Sequence, residues 1–121
     1  MHRSLKLNKK KKVVYTAMSK KTAYLKHHIS KFVLKKKAVP LNPFMLFDYF
    51  LLDTVKRDEI REANNNLIRI SDEIWVFGPI SDGVLAEIQI ATKLKKPVKY
   101  FAVTSNGKFT EKNITEAEIE G

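Results

Sequence analysis

Glu87 is the residue of this chain most in need of a chemical explanation. It follows Ser81-Asp82-Gly83, a sequence that opens a helix with an apolar stripe of Val84, Ile88, Ala91 and Leu94, spaced by three and four. Glu87 stands three residues from Val84, four from Ala91 and seven from Leu94, so it shares the stripe; Gln89, Lys93 and Lys96 take the other face. Burying a carboxylate without a partner is costly. Glu87 therefore either faces a cleft, where it is available to a substrate, or has a dedicated partner. The architectural alternative is a buried glutamate held by backbone donors or an arginine.

Other groups along the chain could join it. Ser81 or Asp82 can cap the helix and Gly83 can allow close packing; with Gly78 they form one turn that a ligand could touch. The loop Met18-Ser19-Lys20-Lys21 leads into a helix and offers a hydroxyl, amide donors and two ammonium groups, a set suited to phosphate. Asn64-Asn65-Asn66 reads as a polar shoulder beside a helical stripe, able to donate and accept hydrogen bonds but not to take a proton. Tyr15 reads as a packed residue of a core strand, and Trp75 as core rather than a stacking platform. His27-His28 lack further ligands at metal spacing, and no metal or cofactor is assigned.

These residues can meet only if the elements carrying them converge. Residues 1–11 read as a flexible basic arm and 12–121 as a single domain. Val13 to Ala17 is a β-branched strand, and a helix runs from Lys20 to Lys35 with Leu25, Ile29, Phe32 and Val33 as its apolar side. Ala38-Val39-Pro40 is a brief strand stopped by Pro40 and Pro43. Phe44 to Leu52, dense in aromatics, is a short helix or an ordered loop. A second long helix spans Asp53 to Ser71, with Ile60, Ala63, Leu67 and Ile70 inward. Then come a strand at Glu73 to Phe77, a helix at Ser81 to Lys95, a strand at Pro97 to Val103, a turn at Asn106-Gly107, and a terminal helical turn at Ile114 to Ile119. Strands alternating with helices imply parallel β-α-β units. The expected fold is a small three-layer α/β/α sandwich around a mainly parallel four- or five-stranded sheet, flavodoxin-like or Rossmann-like. Ligands of such sheets bind beyond the strands' carboxyl ends, where strand order reverses. If the first and third strands are neighbours there, Met18–Lys21 and Gly78–Gly83 flank one crevice, with Glu87 at its floor.

Composition narrows the setting. The 44% apolar content argues for a folded chain, and the absence of cysteine excludes disulfides and thiolate metal sites and makes a cytoplasmic location the default. The apolar runs are too short to span a membrane, and the charged amino terminus lacks the apolar region of a signal peptide. Net charge is +10, and residues 1–40 hold 13 Lys or Arg and no acid. That asymmetry raises nucleic acid as a partner, whose mark would be salt-sensitive binding lost on removing residues 1–12. The plainer reading is a solvated tail at Lys9 to Lys12 and a lysine-faced helix ending in Lys35-Lys36-Lys37, since no aromatic-interleaved RNA motif accompanies the charge.

From Val13 to Phe101 the chain resembles the nucleoside 2-deoxyribosyltransferase superfamily, and its short bacterial and phage-type members more closely. The likeness rests on Val14-Tyr15, Pro40-Leu41-Asn42-Pro43 with the aromatic segment after it, Asp72-Glu73, Trp75-Val76-Phe77-Gly78, the Ser-Asp-Gly turn, Glu87-Ile88, Ala91, and Lys96-Pro97-Val98-Lys99-Tyr100-Phe101. The resemblance implies that Glu87 attacks the anomeric carbon of a deoxyribosyl group and expels the base. The resulting glycosyl ester then passes to a second base or to water. The helix macrodipole would favour the ionised form such a nucleophile needs. Tyr15 would approach the nucleophile, and Ser19 and Lys20 would hold a 5′-phosphate, although the glycine that hydrolase relatives carry in that loop is absent. Two departures stand out. Asn64 (or Asn65, if the register slips by one) takes the place of an aspartate that orients the sugar. The aspartate expected six residues before the nucleophile is replaced by Ser81, with Asp82 one residue late. Implied partners are a nucleoside or nucleotide and further copies of the chain, with Phe44, Phe47, Tyr49 and Phe50 as a lid or subunit interface. Three functions are thus in view: cleavage or transfer at an N-glycosidic bond, nucleotide binding without catalysis, and association with nucleic acid through the basic amino-terminal half.

Overall fold

Val13 to Met18 sends apolar side chains alternately to two sides, a pattern that suits a strand covered on both faces. In the computed structural model, which describes residues 9–113, this segment is β1 (Val13–Met18), an inner strand of a five-stranded sheet. The others are β2 (Val39–Leu41), β3 (Glu73–Phe77), β4 (Val98–Val103) and β5 (Phe109–Lys112), in the order β2-β1-β3-β4-β5. The first four run parallel. Only β5 is antiparallel, returning on β4 through a turn at Gly107, whose φ of 76° suits glycine. This is the expected α/β sandwich with a mainly parallel sheet.

Helices cover both faces. Ile29 and Val33 of α1 (Lys26–Lys35), together with Leu25 from a 3-10 turn at Ala23–Leu25, pack on Val14, Met18, Trp75, Phe77 and Phe101. Phe32 completes this layer edge-on, its ring centroid 5.2 Å from Phe101 and 5.3 Å from Phe109. On the other face, Ile68 of α4 (Arg57–Ile70) and Val84 and Ala91 of α5 (Asp82–Lys93) pack on Tyr15, Ala17, Ile74, Val76 and Tyr100. No helix among the described residues is long and apolar enough to cross a membrane.

Several boundaries differ from the sequence expectations. The aromatic segment forms two short helices, α2 (Pro43–Leu46) and α3 (Tyr49–Thr54), and α4 begins only at Arg57 because Val55 and Lys56 are extended. The stripe of α4 also turns differently: Ile68 is buried, while Ala63 and Ile70 are exposed. Pro40 lies within β2 rather than stopping it, which is tolerated because β2 is an edge strand. The first long helix starts at Lys26 because a turn and the 3-10 segment occupy the preceding residues. Of the expected basic arm, residues 9–11 are exposed ahead of β1 and the rest lies outside the described residues, as does Ile114 to Ile119.

Candidate active site

The chain leaves β1 toward β2 on one side, and β3 lies on β1's other side and leads on to β4, so the strand order reverses between β1 and β3. Connecting segments there diverge and leave a crevice at the strands' carboxyl ends. Its volume is about 870 Å³, within the range of small-molecule sites. One wall is the Ser19–Lys21 loop after β1, another the first turns of α5; Ile60, Arg61, Asn64 and Asn65 of α4 and Pro43 and Phe44 of α2 close the rest. Asn42 sets α2 in place: its side chain accepts from the Phe44 amide at 3.1 Å and donates to the Lys26 carbonyl and the Ser30 hydroxyl, both at 3.1 Å.

Three elements meet at the bottom. The Tyr15 hydroxyl on β1 donates to Glu87 Oε2 on α5. Asn64 Nδ2 on α4 donates to the Tyr15 hydroxyl at 2.7 Å and to Glu87 Oε2 at 3.1 Å. Glu87 therefore has dedicated partners and also faces a cleft. Both donors converge on one oxygen, and among the described residues Oε1 receives no hydrogen bond.

Burial pushes the Glu87 carboxyl above its ordinary range, and the hydrogen bonds from Tyr15 and Asn64 recover only part of the shift. The expected help from the helix macrodipole fails on position. Glu87 is the sixth residue of α5, and the dipole acts mainly over the first turn. Tyr15 is held far above the usual phenol range, first by burial and then by the neighbouring carboxylate. It therefore remains a neutral donor, as Asn64 does. A carboxylate held by neutral donors keeps its electron pairs for an electrophile, whereas an ammonium or guanidinium would draw them away.

The crevice gathers Tyr15, Ser19, Lys20, Asn64, Ser81, Asp82, Gly83 and Glu87. Ser19 is buried, and its hydroxyl has no hydrogen-bond partner among the described residues. Ser81 caps α5, accepting from the Val84 amide at 3.3 Å, and Asp82 is exposed on the first turn. Gly83 is not required for close packing: a Cβ there would meet only the Ser81 hydroxyl, at 3.9 Å. Gly78 does not line the crevice. With φ at +78° and a Cβ position only 2.9 Å from Thr22 Oγ1, it is needed for the turn. Trp75 packs against the α1 face, its indole nitrogen donating to Glu73 at 2.9 Å. His27 and His28 are exposed on α1.

Sequence reasoning missed Ile60 and Arg61 as wall residues; Asn65, the alternative to Asn64, and Phe44, expected in a lid or subunit interface, also line the crevice. A signal for the two missed residues was available: Ile60, Asn64, Leu67 and Ile68 recur at helical spacing, which puts Asn64 on the stripe and Arg61 and Asn65 on its flank. The aromatic segment divides by role. Phe44 lines the crevice, while Tyr49 and Phe50 are 84% and 71% exposed.

The fold is similar to that of a 2-desoxiribosyltransferase from Leishmania mexicana, with a TM-score of 0.58 over 85% of this chain and 79% of that one. Identity between the two is 19%, so the likeness is one of fold. Residues 13–101 match the family model described as a domain of unknown function (DUF7768). No curated protein matches the sequence.

Proposed function

The chain belongs to the DUF7768 family, whose description assigns no activity, and from the crevice itself we propose that the protein binds a nucleoside or nucleotide and breaks its N-glycosidic bond. The observation that carries this reading is the carboxylate of Glu87, fixed on one oxygen by two neutral donors at the floor of a ligand-sized crevice. In the proposed step an oxygen of ionised Glu87 forms a bond to the anomeric carbon. The bond from that carbon to the base breaks, and its electron pair leaves with the base, which takes up a proton. Water, or a second base, then displaces Glu87 from the glycosyl ester.

Tyr15 and Asn64 orient the carboxylate, and Asn64 and Asp82 position the sugar. The Ser19–Lys21 loop supplies the phosphate end: two exposed lysines line the crevice, and Ser19, whose buried hydroxyl has no partner among the described residues, lies on the same wall, a set suited to a 5′-phosphate. This favours a nucleotide over a free nucleoside.

A second reading, nucleotide binding without turnover, is supported by Asn64. It stands beside the carboxylate where the resemblance implies an aspartate, and an amide can pass no proton. One experiment separates the two. The protein is incubated with nucleosides, deoxynucleosides and their 5′-monophosphates, and free base is followed by chromatography beside Glu87→Ala. Base release that disappears in the variant supports the enzyme. Binding with no release supports the module, and release that persists in the variant refutes Glu87 as nucleophile.

A further inference from the structure

One helix face of this chain carries cations and an exposed aromatic ring together. Leu25, Ile29 and Val33 turn inward, so the opposite side of α1 and of the turn before it presents Tyr24, His27, His28, Lys31 and Lys35 at helical spacing. All five are exposed, and Tyr24, 76% exposed, sets a large aromatic ring among cations. Lys37 follows at its far end, and Lys20 and Lys21 lead back to the crevice wall. None of these lysines has a carboxylate within salt-bridge distance among the described residues. The long helix on the other side of the sheet differs: α4 interleaves Asp58, Glu59 and Glu62 with Arg57, Arg61 and Arg69. A polyanion therefore meets less repulsion along α1 than along α4.

We propose that this outer face of α1 binds single-stranded nucleic acid, the lysines neutralising successive phosphates and Tyr24 stacking on a base. The aromatic is what separates this site from a generic basic surface. A phosphate chain needs only charge, whereas an exposed ring set among lysines adds a platform for an unpaired base. From Tyr24 to Lys35 the row is about 16 Å long at the rise of a helix, a reach of roughly three phosphates. The site is independent of the chemistry assigned to Glu87.

The test is fluorescence anisotropy of a labelled, mixed-sequence single-stranded oligonucleotide with the full chain, at low and moderate salt. Three to five phosphate contacts predict a loss of roughly 20- to 100-fold in affinity between about 50 and 200 mM salt. The double substitution Lys31→Glu/Lys35→Glu, with the amino-terminal residues intact, is expected to weaken binding at least tenfold. Tyr24→Ala should weaken it roughly fivefold or more, and circular dichroism establishes that each variant is folded. Glu87→Ala should bind like the parent, which keeps this result separate from the fate of the proposed catalysis. No binding at low salt overturns the proposal. So does binding untouched by the charge reversal, which would place the contact elsewhere, or equal affinity for a duplex of the same sequence, which would remove the stacking role of Tyr24.

Discussion

Tyr15→Phe isolates one atom of the proposed site. The ring of Tyr15 is fully buried against Ile68, Ile74 and Val84, and phenylalanine keeps that packing, so only the hydroxyl is lost. That hydroxyl donates to Glu87 and accepts from Asn64 Nδ2. Asn64 is not orphaned by the change, because its second contact, 3.1 Å to Glu87, remains. The cost is then mainly one hydrogen bond to a charged group, about 2 kcal/mol, or a lowering of Tm of about 8 °C for a domain of this size. It should also depend on pH. With Glu87 protonated the lost bond is neutral and worth about 1 kcal/mol, so the deficit shrinks as pH falls below the raised value of Glu87. Removing a donor to the charged form lifts that value further, which moves the acidic limb of any base-release activity to higher pH. Urea denaturation of parent, Tyr15→Phe, Glu87→Gln and the double variant, at about pH 8 and about pH 4, measures both terms. A coupling of about 1 kcal/mol at the higher pH is expected. Equal deficits at the two pH values, or no coupling, would refute the claim that Tyr15 acts on an ionised Glu87.

Three further outcomes follow from the same geometry. Glu87 is raised above its ordinary range, so the folded state holds its proton more tightly than the unfolded chain; the resulting stabilisation is complete at low pH and is lost as pH rises through the raised value. Glu87→Gln should therefore abolish base release yet raise stability at neutral pH by about 1 kcal/mol, read as a higher urea midpoint at pH 7 that vanishes near pH 4. Ser19→Ala removes a buried hydroxyl without a partner among the described residues, so the free protein should be no less stable, while calorimetry should show weaker binding of a 5′-monophosphate and unchanged binding of the nucleoside. Gly78→Ala forces a left-handed φ on a residue whose Cβ would press on Thr22, and should cost about 2 kcal/mol by thermal unfolding.

Much of this was legible in the chain because it is local. The strand Glu73 to Phe77, the Ser81 cap and the place of Glu87 on an apolar stripe follow from periods of two and 3.6 within a few turns, and the structure has them in place. The crevice beside Met18–Lys21 followed from the alternation of strands and helices, once β1 and β3 were neighbours, although its facing wall is Ser81–Gly83 and leaves out Gly78. Other features depend on distance. Tyr15 meets Glu87 across 72 positions, and only the sheet order brings them together. The phase of α4 was misjudged because Leu67, Ile68 and Ile70 permit two stripes, and packing against the sheet chose the one containing Ile68 and Asn64. The exposure of Tyr24 was equally hidden, since it rests on which side of α1 the sheet claims.

The two outer strands of the sheet also govern how copies of this protein can associate. On one side β2 is three residues long and its middle residue, Pro40, has no amide hydrogen to give. On the other, β5 ends in Glu111 and Lys112, charges that an incoming strand would have to accommodate. Among the described residues, both borders carry features that disfavour pairing with a neighbour's backbone. Association of copies through their sheets is thereby disfavoured relative to contact through side chains, of which Tyr49 and Phe50 on α3 are the most exposed aromatic pair among the described residues.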